Sequence, residues 1–434
     1  MAGAPFAIEA PRIAQGGHGL GNRREATVRD VDLFQQALGL EEPWRVERTE
    51  FDAAARRLDI YLGFERGARF ECPECGWDGC PAYDTTEKQW RHLNFFQHEA
   101  YLHAPVPRVE CSRCGIKQVR VPWARSGSGF TLLFEALVLA MVKQMPVKAV
   151  GSLVGETDKR LWRILDHYVS QARAAQDFSE VRHVGVDETA SKRGHQYVSL
   201  FVDLDRSRLL FGTEGKDAKV FGAFRLDLME HGGVPERIRE LSMDMSAAFQ
   251  LGAAQHFPLA EVTFDRFHVV KLLNEAIDEV RRGEQKDRVE LKKTRWLWMK
   301  RREKLTKRQA QQLAELLKPS AQGLHTAKAY QMKLSFVDEF WTLPPSFAEE
   351  FLRKWCAWAK RSKLAPMRRV AKTLWDHRAG LMRWYFSEIS NGVLEGINSL
   401  LQAAKARARG YRTTRNLLTM AYLLASDLDF ALPT

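Results

Sequence analysis

No apolar run of about 18 residues occurs anywhere in the 434-residue sequence, so a transmembrane helix is not expected. The opening MAGAPFAIEAPRIAQGGHGLGNRREA has no basic start followed by a long apolar core. It does not read as a secretory signal, and a flexible leader over residues 1–30 is expected instead. Cysteine is scarce. Six residues without an export signal argue against a disulfide framework and for metal binding or free thiols. Acid is in deficit: 54 Asp and Glu stand against 66 Lys and Arg, a net charge of +12. That balance favours an acidic partner, nucleic acid first, although many basic proteins bind nothing acidic in particular. The remainder is ordinary for a globular chain, 45% hydrophobic and 28% charged, with room for roughly two to four domains and a sizeable core.

Order is expected from Val31. DVDLFQQALGL sets Val31, Leu33, Phe34, Leu38 and Leu40 at helical spacing, and Gly39 marks a stop. WRVERTEFD and RRLDIYLGFE alternate apolar and polar residues and read as two antiparallel strands. Two CxxC pairs follow, in FECPECG and VECSRCG. Two thiolates two residues apart grip one tetrahedral Zn²⁺, and the Gly after each pair lets the backbone turn back at the metal. Cys72, Cys75, Cys111 and Cys114 would fill all four positions of a closed, structural site, with one Zn²⁺ per chain. The gap between the pairs exceeds the roughly 15–20 residues of the usual pattern. It is filled by strand-like text, KQWRHLNFF and EAYLHAPVPRVE, which suits a zinc ribbon with an enlarged hairpin over residues 31–125. A redox pair or idle thiols is the blander reading. Cys80, His92, His98 and His103 lie near enough to substitute as ligands, and Cys356 reads as core.

After PWARSGSG comes the strongly apolar FTLLFEALVLAMVKQM, then VKAVGSLVG and TDKRLWRILDHYVSQARA, three helices over residues 126–178. Gly155 falls in the last turn, and Thr157 or Asp158 is placed to cap the third helix. The pattern is a helix-turn-helix in which Asp158, Lys159, Arg160 and Arg163 line the start of a helix suited to a major groove. Three-helix packing without DNA gives the same periodicity.

From residue 181 the pattern turns α/β. VRHVGVD reads as a short strand that delivers Asp187 at or just past its end; HQYVSLFVDLD and SRLLFGTEG are two more strands. A helix, a strand ending in Asp244, a helix, a strand ending in Asp265 and a helix complete residues 179–285. Three meandering strands followed by alternating helices and strands is the order of an RNase H-like fold, in which the first strand lies beside the fourth. Asp187 and Asp244 would then meet at the strand ends. Close carboxylates resist joint ionisation. Either a Lys or Arg pairs each, or they share Mg²⁺ or Mn²⁺, hard cations that favour oxygen. Asp265 is a rival or auxiliary, and Arg266, His268 and Lys271 beside it are candidates for phosphate contact or for positioning water.

Residues 286–385 interrupt this text with helical period, many Lys and Arg, and seven of the Trp residues: Trp296, Trp298, Trp341, Trp355, Trp358, Trp375 and Trp384. They read as an all-α insertion whose Trp residues are mostly core, with stacking on unpaired bases open to one or two. The last part, 386–434, holds SNGVLEGINSLLQAAKARARGYR. As a helix from about Asn391 it has an apolar stripe of Leu394, Ile397, Leu401, Ala404 and Ala408, and a second stripe of Asn391, Glu395, Asn398, Gln402, Lys405 and Arg409. One acid near the start and a basic cluster at the end, Lys405, Arg407, Arg409, Arg412 and Arg415 around Tyr411, suit a helix that offers a carboxylate to a metal and then tracks phosphates.

Taken together, GVDETA, RGHQYVSLFVDLD, LSMDMSAAF, VTFDRFHVVKLLNEAIDEVR and SNGVLEGINSLLQAAKARARGYR closely resemble the ISL-three family of bacterial insertion-sequence transposases, and the text upstream is similar to that family from about residue 31. The resemblance implies a zinc ribbon, a helix-turn-helix and an RNase H-like domain split by a helical insertion. It implies that Asp187, Asp244 and Glu395 are the three acids of a DDE site holding two Mg²⁺ or Mn²⁺ ions, with Asp265 secondary. The implied activity is cleavage and strand transfer of double-stranded DNA, element ends and target alike. A homodimer on synapsed ends, a bacterial cytoplasmic, nucleoid-associated location and no membrane partner go with it. The alternatives are a DNA-binding protein that kept the fold and lost catalysis, and an RNase H-like nuclease. A zinc-ribbon transcription regulator would leave residues 181–434 unexplained.

Overall fold

The computed structural model describes residues 29–192, 194, 196–318, 323–387 and 392–430. The leader up to residue 28, and Asn391 at the start of the last part's helix, lie outside the described residues. The described chain divides into two compact units between Glu135 and Ala136.

The first unit is a sheet with one short helix. Helix α1 (Asp30–Ala37) ends before Gly39, whose φ of +59° is the left-handed turn glycine tolerates best. Strands β1 (Trp44–Asp52) and β2 (Arg57–Phe64) pair antiparallel, as their alternation requires. β3 (Arg69–Phe70), β4 (Cys80–Phe95), β5 (His98–Cys111) and β6 (Gly115–Gln118) complete a six-stranded sheet of order β1-β2-β5-β4-β3, with β6 on β5. The text between the two CxxC pairs is the long β4–β5 hairpin. Its buried face takes every second residue, Ala100, Leu102, Ala104 and Val106, and packs with Leu58, Ile60, Trp44, Trp90 and Trp123.

Helix α2 (Leu132–Gln144) begins beside that boundary; α3 (Val147–Val154) and α4 (Asp158–Ala174) follow. Gly155 closes α3 at φ +72°. Thr157 occupies the N-cap of α4 with extended backbone, but its side chain makes no capping bond there.

A five-stranded sheet forms the centre of the second unit: β7 (His183–Lys192), β8 (Gln196–Asp203), β9 (Arg208–Glu214), β10 (Glu240–Met243) and β11 (Glu261–Phe264), in the order β11-β10-β7-β8-β9. β7–β8 and β8–β9 are antiparallel; β7–β10 and β10–β11 are parallel. The first strand of the sheet thus lies beside the fourth. Helices α5 (Lys219–Glu230), α6 (Ala247–His256) and α7 (Arg266–Glu284) alternate with the later strands. Val184 and Val186 point into the core with Phe201, Phe221, Phe224, Met243 and Phe249.

From α7 to the last part the described residues form helices and no strand: α8 (Arg295–Met299), α9 (Lys307–Leu316), α10 (His325–Glu339), α11 (Pro345–Arg361), α12 (Ala365–Asp376) and α13 (Arg378–Ser387). Most Trp residues here are core, with Trp298, Trp341 and Trp355 buried; Trp296 is the exposed exception. Cys356 is buried among them. α7 packs on α10 and α12, and α13 returns to the edge strand β11. Helices α14 (Gly392–Arg407) and α15 (Thr414–Ala425) then cross to β7 and β9. No described helix is long and apolar enough to cross a membrane.

Candidate active site

Asp187 does not end its strand. β7 continues to Lys192 because β8 pairs along it as far as Lys192–Gln196, and the expected strand end is corrected accordingly. What stops is the other neighbour. β10 pairs with β7 through Ser242–Gly185 and its last strand residue is Met243. Asp187 therefore stands at a fork, where one side of the strand remains paired and the other opens. The registers place Asp244 one residue past β10 and level with Asp187. Met243 opposite Phe264 makes Asp265 level with Asp244. Extended by these registers, the three aspartates fall in one row at or just past the ends of three adjacent strands, which run about 4.8 Å apart where they pair.

Each carboxylate is held by a backbone donor. The Glu188 N–H donates to Asp187 Oδ1 at 2.8 Å, Ser246 N–H to Asp244 Oδ1 at 2.9 Å, and Phe267 N–H to Asp265 Oδ1 at 2.8 Å. The last of these makes Asp265 the N-cap of α7, which is a structural task of its own. His268 Nε2 stands 3.7 Å from Asp187 and 3.6 Å from Asp265. Burial pushes the Asp187 carboxyl above its ordinary value; His268 and the Glu188 N–H pull it back, and the charges of Asp265 and Asp244 add to the rise. Among the described residues no Lys or Arg forms an ion pair with Asp187, Asp244, Asp265 or Glu395. The row is anionic and uncompensated except by His268. Arg266 turns away, its guanidinium 5.4 Å from the Trp341 ring centre.

Glu395 reaches this region through α14. Leu394 lies over Gly185, where a Cβ would stand 2.6 Å from its Cδ1. Asn398 Nδ2 donates to Asp187 Oδ2 at 2.5 Å, Gln402 Nε2 to Thr189 Oγ1 at 2.6 Å, and Lys405 Nζ to the Ala190 carbonyl at 2.6 Å. Eleven helical residues rise about 16 Å and five strand residues advance about the same, so helix and strand keep step in one direction. Glu395 lies between the Leu394 and Asn398 contacts, exposed at the edge of this seam. Glu395 does not join the aspartates in one tight cluster: among the described residues only Cys72, Cys75, Cys111 and Cys114 form a group of three or more His, Cys, Asp or Glu side chains whose ligand atoms all lie within 4.8 Å of one another. Gly185→Ala should destabilise the protein by about 1–3 kcal/mol, as overpacking does, because Leu394 and Leu204 both occupy the space of the new methyl. Chemical denaturation checks this; an unchanged midpoint would mean α14 is not seated on β7.

The cysteine cluster fits a closed zinc site. Cys75 and Cys111 Sγ atoms are 3.7 Å apart, close to the roughly 3.8 Å edge of a tetrahedron with 2.3 Å Zn–S bonds. Gly76 and Gly115, at φ +70° and +73°, make the turn after each pair. The backbone N–H of Arg113 is the first of the groups that bring the Cys111 thiol down to about 6, towards the thiolate a ligand requires. The four cysteines support one structural zinc. Of the neighbours, His92 meets Thr131 and His103 meets Asp59, His98 packs edge-on against Phe51, and Cys80 donates to the Trp77 carbonyl while lying beside Cys111.

Lys159, Arg160 and Arg163 are exposed at the start of α4, and Arg160 pairs with Glu156 at 2.7 Å. Of the C-terminal cations, Lys405 bonds the Ala190 carbonyl and Arg407 the Gln144 carbonyl. Lys192, Lys405, Arg409 and Arg412 line one cleft of about 730 Å³ near the far end of β7. Asn398, which the sequence does not single out, also reaches the row; its place on the same helical stripe as Glu395 is the signal for it.

Three family models match the chain in succession: "zinc-finger of transposase IS204/IS1001/IS1096/IS1165" over residues 68–114, "Helix-turn-helix domain of transposase family ISL3" over 119–169, and the DDE model of the same family, described as "Transposase", over 184–421, more than half of the chain. A transposase for insertion sequence element IS1001 of Bordetella parapertussis is 28% identical over 391 residues, covering 87% of this chain and 94% of that protein. A transposase for insertion sequence element IS1557 of Mycobacterium tuberculosis (strain CDC 1551 / Oshkosh) is 28% identical over 449 residues, covering 94% and 98%.

Proposed function

The chain belongs to the ISL3 family of transposases, the ISL-three family that its motifs resemble, and from that premise we propose that it binds the terminal inverted repeats of an insertion sequence and catalyses cleavage and strand transfer at two divalent ions held by Asp187, Asp244 and Glu395. The observation that carries this reading is the uncompensated row. Asp187 and Asp244 stand level on adjacent strands, with no Lys or Arg paired to them among the described residues. Such a row is costly unless cations occupy it. Its oxygen donors suit Mg²⁺ or Mn²⁺, and each Asp187 oxygen carries one protein donor and keeps a lone pair for a metal.

Bound there, the ions supply an activated oxygen nucleophile and offset charge at the leaving oxygen. The protein's part is placement. The fork at Asp187 is where a phosphodiester would lie beside the row. Asp265 holds the start of α7, which presents His268 between Asp187 and Asp265. No Ser or Tyr nucleophile is required. We read the strand order as RNase H-like and residues 286–385 as its all-α insertion. The zinc ribbon and the helix-turn-helix, through Lys159, Arg160 and Arg163, recognise the ends. The cleft of Lys405, Arg409 and Arg412, with Arg407 beside it, receives phosphates. Synapsis of two ends makes the working form a homodimer, and bacterial DNA as substrate places it in the cytoplasm with the nucleoid.

Joining is the discriminating activity. Supplied with Mg²⁺ and pre-cleaved element ends bearing a free 3′-OH, the protein should insert them into target duplex. Nicking without joining would identify a nuclease, and end binding without either reaction would identify a protein that has lost catalysis.

A further inference from the structure

α14 carries a second residue at the acidic row that no part of the reaction has yet used. Asn398 follows Glu395 by three residues and is partly buried against β7. Its amide nitrogen donates to Asp187 Oδ2 at 2.5 Å, while its Oδ1 is buried without a hydrogen-bond partner among the described residues. A buried acceptor left unpaired is destabilising, so an orphan of this kind calls for a partner absent from the chain itself. The residue type is also informative. A carboxylate here would add a fourth negative charge to the row. A Lys would neutralise Asp187 and compete with a cation. An amide alone orients Asp187 through its N–H, leaves the charge intact and still presents an oxygen.

We propose that Asn398 is a positioning residue of the metal site: its N–H fixes Asp187 Oδ2 in the ligating orientation, and its Oδ1 accepts a hydrogen bond from water on the bound ion. The proposal rests on Asp187 being a metal ligand. The same bond ties α14 to β7 one turn from Glu395, so it also sets where the third acid stands relative to the first. Partners that orient a ligating side chain typically change metal affinity 10–100-fold when removed.

The test is Mn²⁺ titration of the full-length, zinc-loaded protein without DNA, followed by the electron paramagnetic resonance of free Mn²⁺, with thermal denaturation of every variant. Asn398→Ala and Asn398→Leu, the second filling the space without a donor, should each weaken Mn²⁺ binding at least about tenfold. Gln402→Ala, which removes the neighbouring α14–β7 bond without touching Asp187, should stay within about twofold of native. Strand-transfer activity of Asn398→Leu should recover as Mn²⁺ is raised, which a purely structural defect would not do. Native affinity in both Asn398 variants, while Asp187→Ala loses Mn²⁺, would overturn the proposal and leave the metal site standing. Equal weakening in Gln402→Ala would make Asn398 only one of several docking contacts and would also overturn it. Native affinity in Asp187→Ala would instead remove the metal assignment on which the proposal rests.

Discussion

Asp187→Ala and Asp244→Ala should each reduce DNA cleavage and joining by about a thousandfold or more, at or beyond the upper end of the 10²–10³ typical of losing one preorganised electrostatic group. The expectation follows from the row. By register Asp187 on β7 is level with Asp244 just past the end of β10, and each is fixed by a backbone N–H. On the proposed mechanism, removing either takes away a metal ligand and changes the net charge that would attract the ions. Glu395→Ala should do the same if α14 delivers the third ligand. Binding of end DNA should persist in all three, because Lys159, Arg160 and Arg163 lie on α4. Cleavage assays with Mg²⁺ beside gel-shift measurements check this. Native cleavage by Glu395→Ala with loss in Asp265→Ala would transfer the third position to Asp265, which already shares the row.

Cys72→Ala should lower zinc content from about one ion per chain to near zero and unfold the ribbon. Structural zinc sites bind with apparent free energies of about 10–16 kcal/mol, as large as the roughly 5–15 kcal/mol net stability of a whole domain. Cys72 is buried, its N–H bonds the Trp77 carbonyl, and its thiol shares the four-sulfur cluster. Cys80→Ala is the contrast. Cys80 is also buried, but its thiol faces a carbonyl, and the variant should keep its zinc. Metal analysis and limited proteolysis of the two variants decide it; full zinc in Cys72→Ala would show that the four cysteines are not the ligand set.

The zinc site was legible because its chemistry is written in local spacing: two CxxC pairs with glycine after each. The length between them became intelligible once β4 and β5 were seen to form one hairpin. The strands that carry Asp244 and Asp265 were legible for the same local reason, since each Asp directly follows a short apolar run. Asp187 was harder. VGVD alternates up to the acid, but whether a strand stops there depends on its neighbours, and the sequence does not show that β8 continues while β10 leaves. The final helix shows the limit most clearly. Its apolar stripe correctly marked Leu394, Ile397, Leu401 and Ala404 as buried. The polar stripe also meets the protein, through Asn398, Gln402 and Lys405. A cation bonded to a main-chain carbonyl has the same sequence pattern as one awaiting a phosphate. Glycine at 185 was equally silent: its meaning lies in Leu394, more than two hundred residues away.

The most direct measurement is anomalous diffraction at the manganese edge, from crystals of the protein bound to a duplex carrying the terminal repeat beside its own gene. Two peaks roughly 3.5–4 Å apart, within coordinating distance of Asp187, Asp244 and Glu395, are expected. Manganese absent from Asp187 and Asp244, or bound there without Glu395 in any protomer, would contradict the three-acid site.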